Sequence, residues 1–185
     1  MRRVAAAGGL SVGRIQHHFA TREEMLKHAC RAMVDLAASR NGAEPAPDRG
    51  NGGDTSGEAK GDDRAESDDG PDAALGQVRR LLVHRFDQSP EYRLGARVWA
   101  AFVAHAVVDP AIAAIVIEAQ VGFECEIDRL LARAGRDPSR ARRLVALSEG
   151  LAQRTLTGAL SAGEATREVD EALQNTAGPG GDRVS

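Results

Sequence analysis

Aromatic side chains are scarce in this sequence of 185 residues, which contains four phenylalanines, one tyrosine and one tryptophan. A buried core must therefore be built mainly from leucine, valine, isoleucine and alanine. The sequence also lacks segments in which β-branched and aromatic residues alternate with polar ones, as they do in half-buried strands. Alanine, leucine, arginine and glutamate are abundant instead, and these residues favour helices. We therefore predict an all-α protein.

Long apolar runs and paired cysteines are also missing. No stretch approaches the ~18 consecutive apolar residues of a membrane-spanning helix. The first ten residues, MRRVAAAGGL, contain two arginines but no apolar segment as long as that of a secretion signal. Cys30 and Cys125 lack the spacing of metal ligands, and we interpret both as buried small side chains rather than redox sensors. These absences favour a reduced, cytoplasmic location.

The motifs of common catalytic and metal sites are absent from the sequence. It contains no G-x-S-x-G motif, no phosphate-binding loop and no cluster of His, Asp and Glu with the spacing of metal ligands. His17 and His18 are adjacent, but neighbouring residues on a helix point about 100° apart and chelate a metal poorly. We expect no enzymatic activity, no metal ion and no cofactor.

Residues 41–72 differ sharply from the rest of the chain. They hold ten acidic and three basic residues, seven glycines and three prolines, and their only apolar side chains are four alanines. Such a segment buries too little apolar surface to offset the entropy lost on ordering. We predict a disordered acidic linker between residues 1–40 and residues 73–178, and a flexible tail at 179–185.

Residues 73–178 are predicted to form consecutive helices. Three helix starts share one pattern, a capping side chain followed by proline: Ser89-Pro90, Asp109-Pro110 and Asp137-Pro138. Gly135 is placed to end the second of these helices. Ser161 and Glu164 form an S-x-x-E capping box for a last helix. The helix after Asp137-Pro138 is apolar on more than one side, and such a helix needs two packing partners, one of which can be a second subunit.

Residues 2–18 have the pattern of a helix-turn-helix unit. RRVAAAG predicts a short helix, Gly9-Leu10 a turn, and VGRIQHH a second short helix capped by Ser11. Thr21 and Glu24 form a capping box for a longer helix that extends to about residue 40. Residues 1–31 carry six Lys or Arg against two Glu, so this region is basic. Basic charge on a helix-turn-helix unit predicts that double-stranded DNA is its partner.

The predicted DNA-binding residues fall into two groups. The second short helix offers the groups that read a major groove: Ser11, Val12, Arg14, Gln16, His17 and His18. Arg14 can donate two hydrogen bonds to guanine, and Gln16 can pair with adenine. Thr21, Arg22 and Lys27, near the start of the longer helix, are suited to phosphates.

The motif S-V-G-R-I-Q-H-H-F-A-T-R-E-E-M-L resembles the TetR-family pattern that runs from the recognition helix into the fourth helix. A-A-A-G-G-L-S resembles the end of the family's second helix and the turn after it. Gln16 stands where the family usually has a tyrosine that contacts phosphate. The stretch E-Y-R-L-G-A-R-V-W-A-A-F-V-A-H-A-V-V-D-P-A-I-A resembles the C-terminal domain of BetI-type members, which respond to choline-like molecules. The resemblance implies a helix-turn-helix unit followed by a helical ligand-binding and dimerisation domain.

The resemblance also implies a first helix that this chain lacks. In the family that helix precedes the point where residue 1 lies, and it packs on the recognition helix. Either Met1 is a misassigned start, which we favour, or the chain is a truncated relative with a weakened DNA-binding unit.

The function implied by the resemblance is a one-component transcriptional regulator, a repressor that binds operator DNA as a homodimer and is released by a small-molecule effector.

The predicted ligand-binding residues are Trp99, Phe102, His105, Glu118 and Phe123. A carboxylate among aromatic rings suits a cationic ligand, but each of these aromatic side chains can equally belong to the core. The predicted dimer-interface residues are Leu144, Leu147, Leu151 and Leu156, which can equally be intramolecular core. The alternative function is a relative deficient in DNA binding that binds a small molecule or forms heterodimers.

Overall fold

The computed structural model describes residues 2–7, 9, 11–42 and 70–176. Within these residues the regular structure is helical and contains no strand, which confirms the predicted all-α class. The helices are α1 (Arg2–Ala7), α2 (Val12–His18), α3 (Arg22–Gly42), α4 (Pro71–Val83), α5 (Pro90–Ala106), α6 (Pro110–Arg133), α7 (Ala141–Thr157) and α8 (Ala162–Gln174). Two 3-10 turns, His84–Phe86 and Pro138–Arg140, follow α4 and precede α7.

The predicted linker and tail lie largely outside the described residues. Helix α3 continues to Gly42 and α4 begins at Pro71, so helices extend into both ends of the segment 41–72. Residues 43–69 of the linker and the tail 179–185 are not described. The predicted division of the chain at this segment therefore remains a prediction.

Side-chain caps begin the helices where the sequence predicts them. The Asp109 carboxylate accepts hydrogen bonds from the backbone N–H groups of Ala111 and Ile112, at 2.9 and 3.2 Å, and so starts α6. At the start of α8, the Ser161 hydroxyl accepts from the Glu164 N–H at 3.2 Å, and the Glu164 carboxylate accepts from the Ser161 N–H at 2.9 Å. This reciprocal pair satisfies N–H groups that have no partner inside the helix.

The start predicted at Asp137-Pro138 differs in detail. The Asp137 carboxylate accepts from the Ser139 N–H at 3.0 Å, and the chain then forms a 3-10 turn. The α-helix itself begins only at Ala141. Such 3-10 turns are frequent at the ends of α-helices.

The first of two compact units comprises Met1–Ser39 and Asp87–Phe123. Its core joins α3 to α5 and to the first half of α6. The buried residues are Cys30, Phe102, Ile112, Ile115 and Val116, and the partly buried residues packed against them are Leu26, Met33, Val34, Trp99, Val103 and Ala106. Helix α3, which directly follows the short helix α2, is therefore held by apolar contacts with α5 and α6.

The second unit comprises Arg40–Phe86 and Glu124–Ser185, and in it α4, α7 and α8 contact one another. Val78, Leu82, Val145 and Val169 are buried in this unit. The buried hydroxyl of Ser148 donates a hydrogen bond of 2.9 Å to the backbone carbonyl of Leu82. A polar side chain can be buried here because its hydrogen bond replaces the one it loses to water. The segment 73–178, predicted from the sequence as one region, contributes residues to both units.

The two cysteines have different environments. Cys30 is fully buried, and burial raises the pKa of its thiol. Cys125 is exposed, so the prediction that it is buried is wrong. It lies four residues after Val121, which is also exposed, on the solvent side of α6. Apolar residues occur all around α6, and for this reason the sequence did not show which side faces the solvent.

A two-pronged ion pair joins α4 to α8 in the second unit. Arg79 Nε lies 2.6 Å from Asp170 Oδ1, and Arg79 Nη2 lies 2.9 Å from Asp170 Oδ2. The guanidinium holds the pKa of the Asp170 carboxyl below its ordinary value. The folded state therefore prefers the charged carboxylate. The pair stabilises the fold above the ordinary carboxyl pKa of about 4, and this stabilisation is lost as the pH falls through the lowered pKa.

Arg79→Met is expected to destabilise the chain at neutral pH and to have little effect in acid. Both side chains are partly exposed, so solvent screening limits the loss to about 0.2–1 kcal/mol. Urea unfolding at about pH 7 and about pH 2, the second chosen to lie below the lowered pKa of Asp170, measures it, with Arg80→Met, an exposed neighbour on the same helix, as the control. An Arg79→Met effect of equal size at both pH values would show that the ion pair is not its cause.

Candidate DNA-binding and ligand-binding sites

The helix, turn and second helix predicted at the N-terminus are present. Helices α1 and α2 contact each other, and Gly9 lies between them with φ of 62°. Only glycine adopts this left-handed conformation without strain, so the turn depends on residue 9. The Ser11 hydroxyl accepts a hydrogen bond from the Arg14 N–H at 3.2 Å and caps α2.

The polar side chains of α2 are accessible. The exposed residues are Ser11, Arg14, Gln16, His17 and His18; the side chain of Val12 lies outside the described residues. His17 and His18 lie three and four residues after Arg14 and share its face of the helix. Gln16 lies two residues after Arg14 and is rotated from it by more than half a turn, so it lies on another face. The rings of His17 and His18 meet edge to face with centroids 5.6 Å apart. One helix face therefore presents a guanidinium and two imidazoles together.

The side chains of Thr21 and Glu24 both accept backbone hydrogen bonds at the start of α3. The Thr21 hydroxyl accepts from the Glu24 N–H at 3.0 Å, as the predicted capping box requires. The Glu24 carboxylate, however, accepts from the N–H of Ala20 at 2.9 Å, one residue before the capping threonine. A phosphate approaching this helix start would meet the Glu24 carboxylate as well as the helix N-terminus.

The two basic residues predicted to bind phosphate differ in their availability. Arg22 is exposed. Lys27 Nζ lies 3.0 Å from Glu23 Oε1, and this hydrogen bond raises the pKa of Lys27. Lys27 would have to exchange Glu23 for a phosphate in order to bind DNA. Sequence reasoning missed this competition, although Glu23 and Lys27 are four residues apart, a spacing that favours ion pairs on helices.

The predicted ligand-binding residues do not form one group. Phe102 is buried in the core of the first unit, and Trp99 packs partly buried against that core. Glu118 lies on the exposed side of α6, where Arg31 Nη1 is 2.9 Å from its Oε2. Its carboxylate is therefore already paired with a cation. Two aromatic side chains are brought together here, but the carboxylate of Glu118 does not join them.

The remaining two predicted ligand-binding residues lie at separate places on the helices. His105, in the last turn of α5, has its Nε2 3.5 Å from Asp109 Oδ2. Because Asp109 also caps α6, this contact joins the end of α5 to the start of α6. Phe123 is half-buried on α6.

The four predicted interface leucines divide into two pairs. Leu144 and Leu151 are buried, with exposed fractions of 3% and 8%. Leu147 and Leu156 are half-buried. Only the second pair has surface left for another subunit within the described structure, whereas the first pair forms part of the second unit's own core.

A family model of the C-terminal domain of BetI-type transcriptional repressors matches residues 74–178. The chain belongs to the TetR family. It is a TetR-family transcriptional regulator with a BetI-type C-terminal domain, as the resemblance in the sequence predicted. No curated protein matches the chain.

Two solved structures share the fold of this TetR-family chain. One is a transcriptional regulator from Rhodococcus sp. Rha1, with a TM-score of 0.71 and 22% identity, over 95% of this chain and 83% of that one. The other is a protein from Rhodococcus sp. assigned to the TetR-family transcriptional regulators, also with a TM-score of 0.71 and 22% identity, over 94% of this chain and 85% of that one. Among the described helices of the present regulator, none is both long and apolar enough to cross a membrane.

Proposed function

We propose that this TetR-family chain is a cytoplasmic, one-component repressor that binds operator DNA through α2. The observation that carries the proposal is the capped helix α2, which follows a glycine turn and presents Arg14, His17 and His18 on one exposed face. A short helix with a cation and hydrogen-bonding side chains on its free face is suited to a major groove.

Two subunits are proposed to form a homodimer through α7 and α8. A symmetric dimer places two copies of α2 on successive major grooves, which favours an operator with two related half-sites. The half-buried Leu147 on α7 supports this arrangement, because it leaves apolar surface for a second subunit. Leu156 lies nine residues further along α7, on the opposite side of the helix, and does not share that surface.

A small molecule bound in the C-terminal helical region is proposed to release the DNA. Trp99, on α5, packs against the same core as Cys30 of α3. A ligand that moved α5 or α6 would therefore act directly on α3, the helix that follows α2. Such a coupling requires the ligand to prefer the arrangement that does not fit the operator.

Arg14→Ala is expected to weaken operator binding about 10-fold or more, because a bidentate base contact contributes about 1–3 kcal/mol. Fluorescence anisotropy of labelled duplexes from the region upstream of the gene measures this, with a salt series at each duplex. The logarithm of the binding constant is expected to fall linearly with the logarithm of salt concentration. Arg97→Ala, which removes an exposed arginine of α5, is the matched control.

Equal binding by Arg14→Ala and wild type would contradict the proposed role of α2. If wild type and Arg14→Ala both bound every duplex equally, the chain would bind DNA without recognising its sequence. A folded dimer that binds none of the duplexes would favour the alternative of a sensing or heterodimerising protein.

The effector proposal is tested with choline as the probe. Trp99 is the single tryptophan, so its emission reports on the core that joins α3, α5 and α6. Choline is expected to change this emission and to release a bound duplex over the same concentration range. An unchanged signal in both measurements would exclude choline as the effector.

A further inference from the structure

The outward face of α7 is basic. Arg142, Arg143 and Arg154 are exposed, and Arg143 and Arg154 are eleven residues apart, which places them on one side of the helix three turns from each other. Arg142 Nε lies 3.3 Å from Glu124 Oε2, so Arg142 already has an ion-pair partner. Within the described part of the chain, the side chains of Arg143 and Arg154 form no ion pair. The exposed residues Ala146 and Gly150 lie between these two arginines and are small enough for another helix to approach closely.

The outward face of α8 is acidic. Glu164, Glu168 and Glu171 are exposed and recur at intervals of four and three residues, so they share one side of the helix. Glu164 belongs to the Ser161 cap. The carboxylates of Glu168 and Glu171 have no hydrogen bond or ion pair to any described residue. Arg167, the one basic residue among those described in α8, lies three residues after Glu164 and four before Glu171 and so shares this side, which carries three carboxylates and one guanidinium.

We infer that the arginine face of α7 in one protomer binds the glutamate face of α8 in its partner; this inference rests on the homodimer proposed above. A two-fold dimer joins the same patch of both protomers. Pairing α7 with the partner's α7 would oppose two arginine faces, and pairing α8 with the partner's α8 would oppose two glutamate faces. Only the crossed pairing of α7 with α8 opposes unlike charges, and symmetry makes it occur twice.

The charges determine which partner is accepted. Juxtaposed like charges disfavour an interface strongly, whereas complementary charges steer association and fix its register. A related helical regulator whose α7 and α8 lack this pattern would meet an unmatched surface. The paired faces therefore select a second copy of this chain over other proteins of the same fold.

Charge reversal tests the inference on the full chain. Arg143→Glu/Arg154→Glu is the basic-face variant, and Glu168→Arg/Glu171→Arg is the acidic-face variant. Analytical ultracentrifugation is expected to show that each alone dimerises about 100-fold more weakly than wild type, because each now opposes like charges. An equal mixture of the two is expected to recover a heterodimer. Arg80→Glu/Arg97→Glu, which makes the same charge change at exposed positions on α4 and α5, is expected to dimerise as wild type.

The outcomes separate the two proposals, with circular dichroism confirming that every variant is folded. Wild type that is monomeric at all concentrations overturns the homodimer itself and the charge pairing with it. A wild-type dimer with both variants equally tight leaves the homodimer standing and overturns the charge pairing. If each variant alone dissociates but the two form no heterodimer on mixing, the charge pairing is also overturned. In that case, complementary charges on the two variants do not restore association.

Discussion

Replacing Phe102 by alanine is expected to lower the free energy of unfolding of the first unit by about 3–5 kcal/mol, the usual cost of removing a buried aromatic side chain. Phe102 is 8% exposed and belongs to the core in which Cys30 of α3 meets Ile112 of α6. Thermal or urea unfolding measures the loss.

Leu94→Ala is the control for Phe102→Ala. Leu94 lies on the same helix but is 64% exposed, so its truncation is expected to change stability by less than about 0.5 kcal/mol. Phe102→Leu, which keeps most of the volume, is expected to fall between the two. If Phe102→Ala instead left stability unchanged and abolished the choline response, Phe102 would line a ligand pocket rather than the core.

Leu144→Ala and Leu147→Ala are expected to have different effects, although the two leucines are three residues apart on α7. Leu144 is buried within the chain, so its truncation is expected to cost about 2–5 kcal/mol at every protein concentration. Leu147 is half-buried, and its truncation is expected to leave the fold intact and to weaken dimerisation. Unfolding curves at several protein concentrations separate these effects, because the stability of a dimer depends on protomer concentration.

A Leu144→Ala variant that folds normally and fails only to dimerise would place Leu144 at the subunit interface. A Leu147→Ala variant whose stability falls equally at all concentrations would place Leu147 in the intramolecular core.

Local signals in the sequence predicted the helices and their starts well. The capping residues before α5, α6 and α8 and the glycines at positions 9 and 135 act within a few residues of themselves, so their effect can be seen in the sequence alone. Gly158, with φ of 78°, ends α7 in the same way as Gly135 ends α6 and is a further local signal of this kind.

The candidate sites were predicted less completely than the helices. The residues of α2 are exposed as a DNA-reading helix requires, but the pairing of Lys27 with Glu23 was missed. The pairing of Glu118 with Arg31 joins residues 87 positions apart, and nothing in the local pattern indicates it. A carboxylate that looks available to a cationic ligand in the sequence therefore has a cation beside it in the structure.

The sequence by itself determined the all-α class, the helix starts and the membership of the TetR family, because these depend on composition, on caps and on a contiguous motif. The tertiary structure alone decided which side of an apolar helix is buried. Helices α6 and α7 carry apolar residues on more than one side, and packing in two units left Cys125 exposed while it buried Leu144 and Leu151. Burial depends on what lies opposite a side chain, and the residues opposite come from distant parts of the chain.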